Sequence, residues 1–359
     1  MARARRVRTF TYSLLHCGRE PEGNDQMVKT APIALAAVLA LVAVPAAAQD
    51  RPVLTVYTYD SFASEWGPGP AIKAEFEKTC GCTVQFSTAD DAISVLRKVQ
   101  LEGDTTSADV IVGLDTATAP EARATGLFAS HGLTLEGLAL PEPWTDPDFV
   151  PFDYGYFAYV YDTERTPNPP TSFTDLIARP DDFKVVIQDP RSSTPGLGHV
   201  LWIEAAYGER APEIWAGLKP HVLTMTRGWS EAYNLFLSGE ADMVLSYTTS
   251  PTYHQVAEGE DKYAAAIFEE GHVAQTEVAG LLASSDQQQL GRDFLAFLVT
   301  PAAQAVIPTT NWMYPVIDLG DALDPAFSAA PQPSLLELDQ ADIARNSRAW
   351  VDAALAALQ

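Results

Sequence analysis

Five aromatic residues, one carboxylate and two hydroxyl clusters hold most of the chemistry in this sequence. Tyr59, Trp66, Trp229, Tyr253 and Trp312 fall at predicted strand ends and in loops, where binding residues gather in α/β folds. Their ring faces suit a flat heterocycle, and a cation over such a face gains about 0.5–2 kcal/mol, the larger value when dry. Asp91 opens a predicted helix and offers an acceptor to a cation or an amine, with Asp60 and Glu65 as secondary candidates. Ser192-Ser193-Thr194-Pro195-Gly196-Leu197-Gly198 precedes an apolar helical stretch. Hydroxyls and free N–H groups at a helix start favour an anion, and Pro195 suits the first turn. Thr248-Thr249-Ser250 adds further hydroxyls, with Arg191 and Arg227 as candidate helpers.

Each group also has a purely structural role open to it. Aromatic rings dominate cores as well as sites. A carboxylate at a helix start is an ordinary N-cap worth about 1 kcal/mol. The Ser192–Gly198 run equally describes a capped helix, and the arginines equally pair with the many carboxylates. Trp202, mid-helix in Val200-Leu201-Trp202-Ile203, reads as core. The six histidines (His16, His131, His199, His221, His254, His272) lack metal-ligand spacing, so neither a metal nor a cofactor is expected.

The elements that must position these residues follow an α/β rhythm. The run Val53–Tyr59, with its β-branched and aromatic residues, reads as a buried strand. A helix over Pro70–Lys78, a strand at Thr83–Ser87, a helix through Ile93, Leu96 and Val99 closed by Gly103, and a strand at Asp109–Gly113 follow. This βαβαβ order argues for a mainly parallel sheet. Phe152–Tyr161 is long, extended and aromatic, like a strand leaving one lobe for another. A second series has strands at Lys184–Gln188, Val222–Met225 and Ala241–Tyr247, and helices near 197–207, 211–218 and 230–238. Strands near 263–268 and 273–280 and a helix near 285–298 are expected to return to the first lobe. Asp339–Leu358 is an amphipathic helix. The division is 49–153 plus 251–315 for lobe 1, 154–250 for lobe 2, and 316–359 for a C-terminal helical segment. Two α/β lobes joined by two extended crossings fit a periplasmic binding protein fold of type II topology, which closes about a hinge; the composition alone equally fits a two-domain α/β enzyme.

Charge and processing signals agree with export. Ala31–Ala43 is an apolar run preceded by Lys29 and followed by Pro45-Ala46-Ala47-Ala48-Gln49, the layout of a signal peptide cut after Ala48. Residues 1–48 are therefore expected to be removed, with Met27 rather than Met1 as the start; a retained membrane anchor is the other reading of this run. The chain carries a net charge of −24; the removed part is +3, which leaves −27. Such a protein repels nucleic acid and anionic membranes and attracts cations. Cys80 and Cys82 remain after cleavage and can pair locally in an oxidising compartment.

Seven segments go beyond fold class: Val53–Phe62, Trp66-Gly67-Pro68-Gly69-Pro70, Val150–Phe157, Asp189–Gly198, Gly228-Trp229-Ser230-Glu231-Ala232-Tyr233, Leu245–Pro251 and Asn311-Trp312-Met313-Tyr314-Pro315. Together, and in this order, they resemble the thiamine-binding periplasmic proteins of thiamine ABC importers. The resemblance runs from about residue 52 to near the C-terminus and is weakest beyond about 318. It implies a ligand set of Asp91 and Ala92 (where the family has Asp-Gly), Ser193 and Thr194, Trp229, and Tyr247, Thr248, Thr249 and Ser250, with Tyr59, Trp66, Tyr253 and Trp312 as aromatic walls. It also implies a periplasmic, monomeric, non-enzymatic carrier of thiamine or its phosphates that serves a membrane permease. Three alternatives stay open: a carrier of another cation such as a polyamine, a ferric-ion carrier using Tyr247 and Tyr253, and a thiaminase-like enzyme using Cys80 or Cys82 as nucleophile.

Overall fold

The computed structural model of the chain describes residues 51–359. The expected signal peptide, the Met27 start and the cleavage after Ala48 lie outside the described residues. Eleven strands among these residues form one mixed sheet: β1 (Val53–Tyr59), β2 (Thr83–Ala89), β3 (Val110–Asp115), β4 (Phe128–Ala129), β5 (Phe149–Asp162), β6 (Val185–Gln188), β7 (Val222–Thr226), β8 (Met243–Tyr247), β9 (Tyr263–Ala266), β10 (Ala274–Leu282) and β11 (Tyr314–Pro315). The main path runs β2-β1-β3-β10-β5-β8-β6-β7.

Two parallel wings flank an antiparallel centre. β1 pairs in parallel with β2 and β3, and β6 pairs in parallel with β7 and β8. β5 is long enough to serve both wings. Its first half pairs with β10, and Phe157–Tyr161 pair with β8. The wings bury separate cores. One gathers Leu54, Val56, Phe62, Phe76, Val110, Phe152 and Phe294. The other gathers Tyr159, Phe173, Trp202, Trp215 and Phe268. Trp202 is fully buried, and its Nε1 donates to Gly271 O at 2.7 Å, a core role. A smaller cluster of Ile93, Leu197, Leu201 and Ile343 joins the two lobes.

The second lobe extends further along the chain than its sequence pattern suggests. β9 pairs antiparallel with β5, Tyr159 opposite Ala266 and Asp162 opposite Tyr263. Residues 251–266 therefore stay with lobe 2 rather than returning at 251. The return comes between β9 and β10, where Phe157 N donates to Val273 O at 3.1 Å. The crossing expected where lobe 2 was to end, at 250, is instead a helix start: Thr248-Thr249 leads into the short helix Ser250–Tyr253, with Pro251 in its first turn. The C-terminal helix Gln340–Leu358 packs Trp350, Val351, Ala354 and Leu358 on the second core. Cys80, the last residue of the helix Pro68–Cys80, is disulfide-bonded to Cys82.

Candidate binding site

A cavity opens between the lobes. Lobe 1 lines it with Tyr59, Ser61, Trp66, Asp91, Glu277, Thr310, Asn311, Trp312 and Met313, and lobe 2 with Thr194, Pro195, Trp229, Tyr233, Tyr247, Ser250 and Tyr253. The aromatic walls come from element ends. Tyr59 closes β1, and its ring lies against Gly113 of β3, where a Cβ would stand 2.3 Å from the ring. Gly113 has φ +107, so glycine is required there both for its conformation and for this approach. Trp66, in the loop before the helix Pro68–Cys80, stands 55% exposed at the rim. Trp229 begins the helix Trp229–Leu237 and stacks on Tyr233, one turn on, with centroids 4.8 Å apart. Its Nε1 donates to Ser246 Oγ at 2.8 Å. Tyr253 and Trp312 meet edge to face at 5.2 Å. Trp312 has φ +56, unique among the described non-glycine residues. Such strain costs about 1–3 kcal/mol and collects at functional sites.

Asp91 joins the lobes. Its Oδ1 accepts Ala92 N at 2.7 Å, which caps its own helix, and Thr194 N at 3.3 Å from the opposite lobe. Ser193 and the backbone N–H of Trp229 also hydrogen-bond the carboxyl. Burial outweighs these donors and pushes the Asp91 carboxyl up to about 6. Asp91 is thus an N-cap and a cleft residue at once. A second link runs from Tyr247 Oη, which donates to Gln275 Oε1 at 2.6 Å, through Gln275 Nε2, which donates to Thr194 Oγ1 at 3.2 Å.

A row of acids lies at the other side of the cavity. Tyr59 Oη donates to Glu277 Oε2 at 2.8 Å. Asn311 Nδ2 donates to Asp153 Oδ2 at 2.6 Å and reaches Glu277 Oε2 at 3.3 Å. Burial drives Glu277 well above the usual carboxylate range and Asp153 to about 7; Asp115, on the neighbouring strand, rises to about 6 for the same reason. Burial, then Glu277 and Asp153, raise the Tyr59 phenol.

Of the thirteen residues in the expected ligand set, Tyr59, Trp66, Asp91, Thr194, Trp229, Tyr247, Ser250, Tyr253 and Trp312 are brought together here. Ala92, Ser193, Thr248 and Thr249 are buried and do not line the cavity. Ser193 caps its helix through Gly196 N and backs Asp91, and Ala92 contributes its N–H to Asp91. Arg191 pairs with Asp189 and Arg227 with Asp90, so neither reaches the cavity wall. The tyrosines considered for iron bond elsewhere, Tyr247 to Gln275 and Tyr253 to Glu258. Among the described residues no group of three or more His, Cys, Asp and Glu is placed to hold a metal ion.

Several cavity residues escape the sequence reading. Tyr233 sits four residues after Trp229, on the same helix face, a spacing that marks it. Glu277 is a buried acid at the head of the apolar run Val278–Leu282 of β10, and that contrast is its signal. Asn311 and Met313 flank Trp312 in the one residue run. Ser61 and Thr310 carry no signal of their own.

Fold and cavity together define a two-lobed solute-binding protein. Residues 67–305 match the family of bacterial extracellular solute-binding proteins. The thiamine-binding periplasmic protein of Escherichia coli K12 is 48% identical over 302 residues, covering 84% of this chain and 92% of that one. Its counterpart from Brucella suis is 47% identical over 321 residues, covering 89% and 96%. A solved structure of a periplasmic thiamin-binding protein superposes with TM-score 0.84 at 47% identity, covering 86% of this chain and 97% of that one. Iron-bound HitA from Pseudomonas aeruginosa, at TM-score 0.68 and 21% identity, shares the fold alone. The chain belongs to the extracellular solute-binding proteins, and within them to the thiamine-binding periplasmic proteins.

Proposed function

We propose that this chain captures thiamine, free or as its mono- or diphosphate, between its lobes and delivers it in the periplasm to the permease of an ABC importer. The observation that carries this reading is the pairing of Tyr59, Trp66, Trp229, Tyr253 and Trp312 with the Asp91 and Glu277 carboxyls around one interlobe cavity. Aromatic faces hold the aminopyrimidine and thiazolium rings, and carboxylates answer the positive charge. The hydroxyethyl tail, or a phosphate on it, is directed at the helix starts of Thr194 and Trp229, where an anion has to share the N–H groups with Asp91. The protein acts as a monomer without a cofactor and performs no covalent step. Cys80 and Cys82, the candidate nucleophiles of an enzyme reading, are bonded to each other, and neither lines the cavity.

Titration calorimetry of the mature protein with thiamine, its monophosphate and its diphosphate tests the proposal. Binding of at least one form at micromolar ligand or below is expected, with spermidine failing to compete. Silence with all three forms, or displacement by the polyamine, overturns it.

A further inference from the structure

Three carboxylates stand abreast on the three central strands beside the cavity. In the register of the sheet Glu277 of β10 is opposite Asp115 of β3 on one side and opposite Asp153 of β5 on the other. Their exposures are 5%, 2% and 0%. Residues directly opposite across antiparallel strands share a face, and like charges in that position repel. The Lys and Arg ion pairs among the described residues all go to other carboxylates. Asp153 Oδ1 is buried without a partner. The pairing of β10 slips one residue at Glu277/Val278 against β5 and at Val278/Ala279 against β3. Such bulges are frequent beside functional sites, where they re-aim a side chain.

We propose that Glu277 and Asp153 share one proton in the unliganded protein and release it to solvent when a cationic ligand enters, so that the pair is the counter-charge by which the site selects a cation. This rests on the reading that thiamine is the ligand. Two adjacent carboxyls out of water do not both ionise, and their proton belongs to the pair. The groups that face the pair are Tyr59 from β1, Asp115 from β3, Tyr247 from β8 and Asn311 from the segment after Thr310; Asp91 lies across the cavity. None of them is a cation. Glu277 lines the cavity, so a thiazolium brings the positive charge that the row lacks. An opposite charge at close range favours the ionised acid, and the proton passes to buffer. A neutral ring of the same shape leaves the proton in place. Because binding releases a proton, affinity rises with pH and falls up to about tenfold for each pH unit lost, in the range where a whole proton is released.

The test is calorimetry of the mature protein with thiamine at pH 7, in two buffers of different ionisation enthalpy. The wild type is expected to release about one proton per thiamine. Glu277→Gln and Asp153→Asn, each first checked for folding by thermal melting, are expected to release almost none, while Glu121→Gln, at a surface acid paired with Arg97 and away from the cavity, still releases it. The neutral analogue with a thiophene in place of the thiazolium is expected to bind wild type without proton release. Thiamine binding with no proton release in the wild type overturns this inference and leaves the thiamine reading intact. Release that survives in Glu277→Gln also overturns it. Failure of thiamine to bind at all overturns both.

Discussion

The Oδ1 atom of Asp91, on the first lobe, accepts the backbone N–H of Thr194, the first residue of a helix on the second lobe, at 3.3 Å. A helix start is a ready anion site, and here the chain supplies the anion itself from the opposite lobe. The contact bridges the two lobes, so its free energy favours their approach. Asp91→Asn keeps the size and one carbonyl oxygen but removes the charge. A hydrogen bond to a charged group contributes about 1.5–3 kcal/mol, so a fall of roughly 10- to 100-fold in thiamine affinity is expected. Calorimetry on the variant checks it; affinity within a factor of two of wild type would detach Asp91 from closure.

The same carboxylates set how stability varies with pH. Burial raises Asp91 and Asp115 to about 6 and Asp153 to about 7, and holds Glu277 well above the usual carboxylate range. The folded protein thus binds more protons than the unfolded chain between pH 4 and 7, and stability falls as pH rises through that window. Each unit of upward shift costs about 1.4 kcal/mol once the unfolded carboxyls have ionised. The unliganded protein is therefore expected to melt several degrees higher at pH 5 than at pH 8. Differential scanning calorimetry between pH 5 and 8 measures this, and a melting temperature that climbs towards pH 8 would contradict the buried-acid account.

Much of the fold was legible because it follows local pattern. Val53-Leu54-Thr55-Val56-Tyr57-Thr58-Tyr59 is a strand by composition and a strand in the sheet. The long aromatic run around Phe152–Tyr161 is the strand shared by both lobes. What misled was non-local. The four residues of β9 carry no mark of which half of β5 they pair with, so the return point was placed too early. In the site, aromatic residues at element ends were readable from spacing. The acid row was not, because Asp115, Asp153 and Glu277 become neighbours only through the order β3-β10-β5.

Gly228 offers a test of closure that replaces no residue lining the cavity, although a Cβ there also comes within 3.5 Å of Asp91 Oδ2. A Cβ built there would meet Asp90 O, on the opposite lobe, at 2.6 Å. Its φ of −145° is open to any residue, so Gly228→Ala carries no backbone strain of its own. The lobes must shift apart to admit the methyl group, because the obstacle is backbone rather than a flexible side chain. Reduced thiamine affinity with an unchanged melting temperature of the unliganded protein is expected. Small-angle scattering with saturating thiamine should then show a larger radius of gyration than for wild type. Equal radii and equal affinity would mean that the lobes accommodate the methyl without opening.

Trp66 and Trp229 divide the aromatic contribution between ligand and fold. Trp66 is 55% exposed at the rim, so little of the unliganded protein's stability depends on it, and substitutions at such surface positions stay within about 0.5 kcal/mol. Trp66→Ala is expected to weaken thiamine binding by about 2- to 30-fold, the worth of one ring face on a cation, with the melting temperature unchanged. Trp229 is half-buried, stacked on Tyr233 and bonded to Ser246. Trp229→Ala removes a ligand face and also leaves Tyr233 without its stacking partner, so it should lower both affinity and stability, the latter by about 1–3 kcal/mol. Calorimetric titration and thermal melting on the two variants separate the roles. A Trp66→Ala protein that melts early but binds thiamine normally would reverse the assignment and make the rim tryptophan a packing residue.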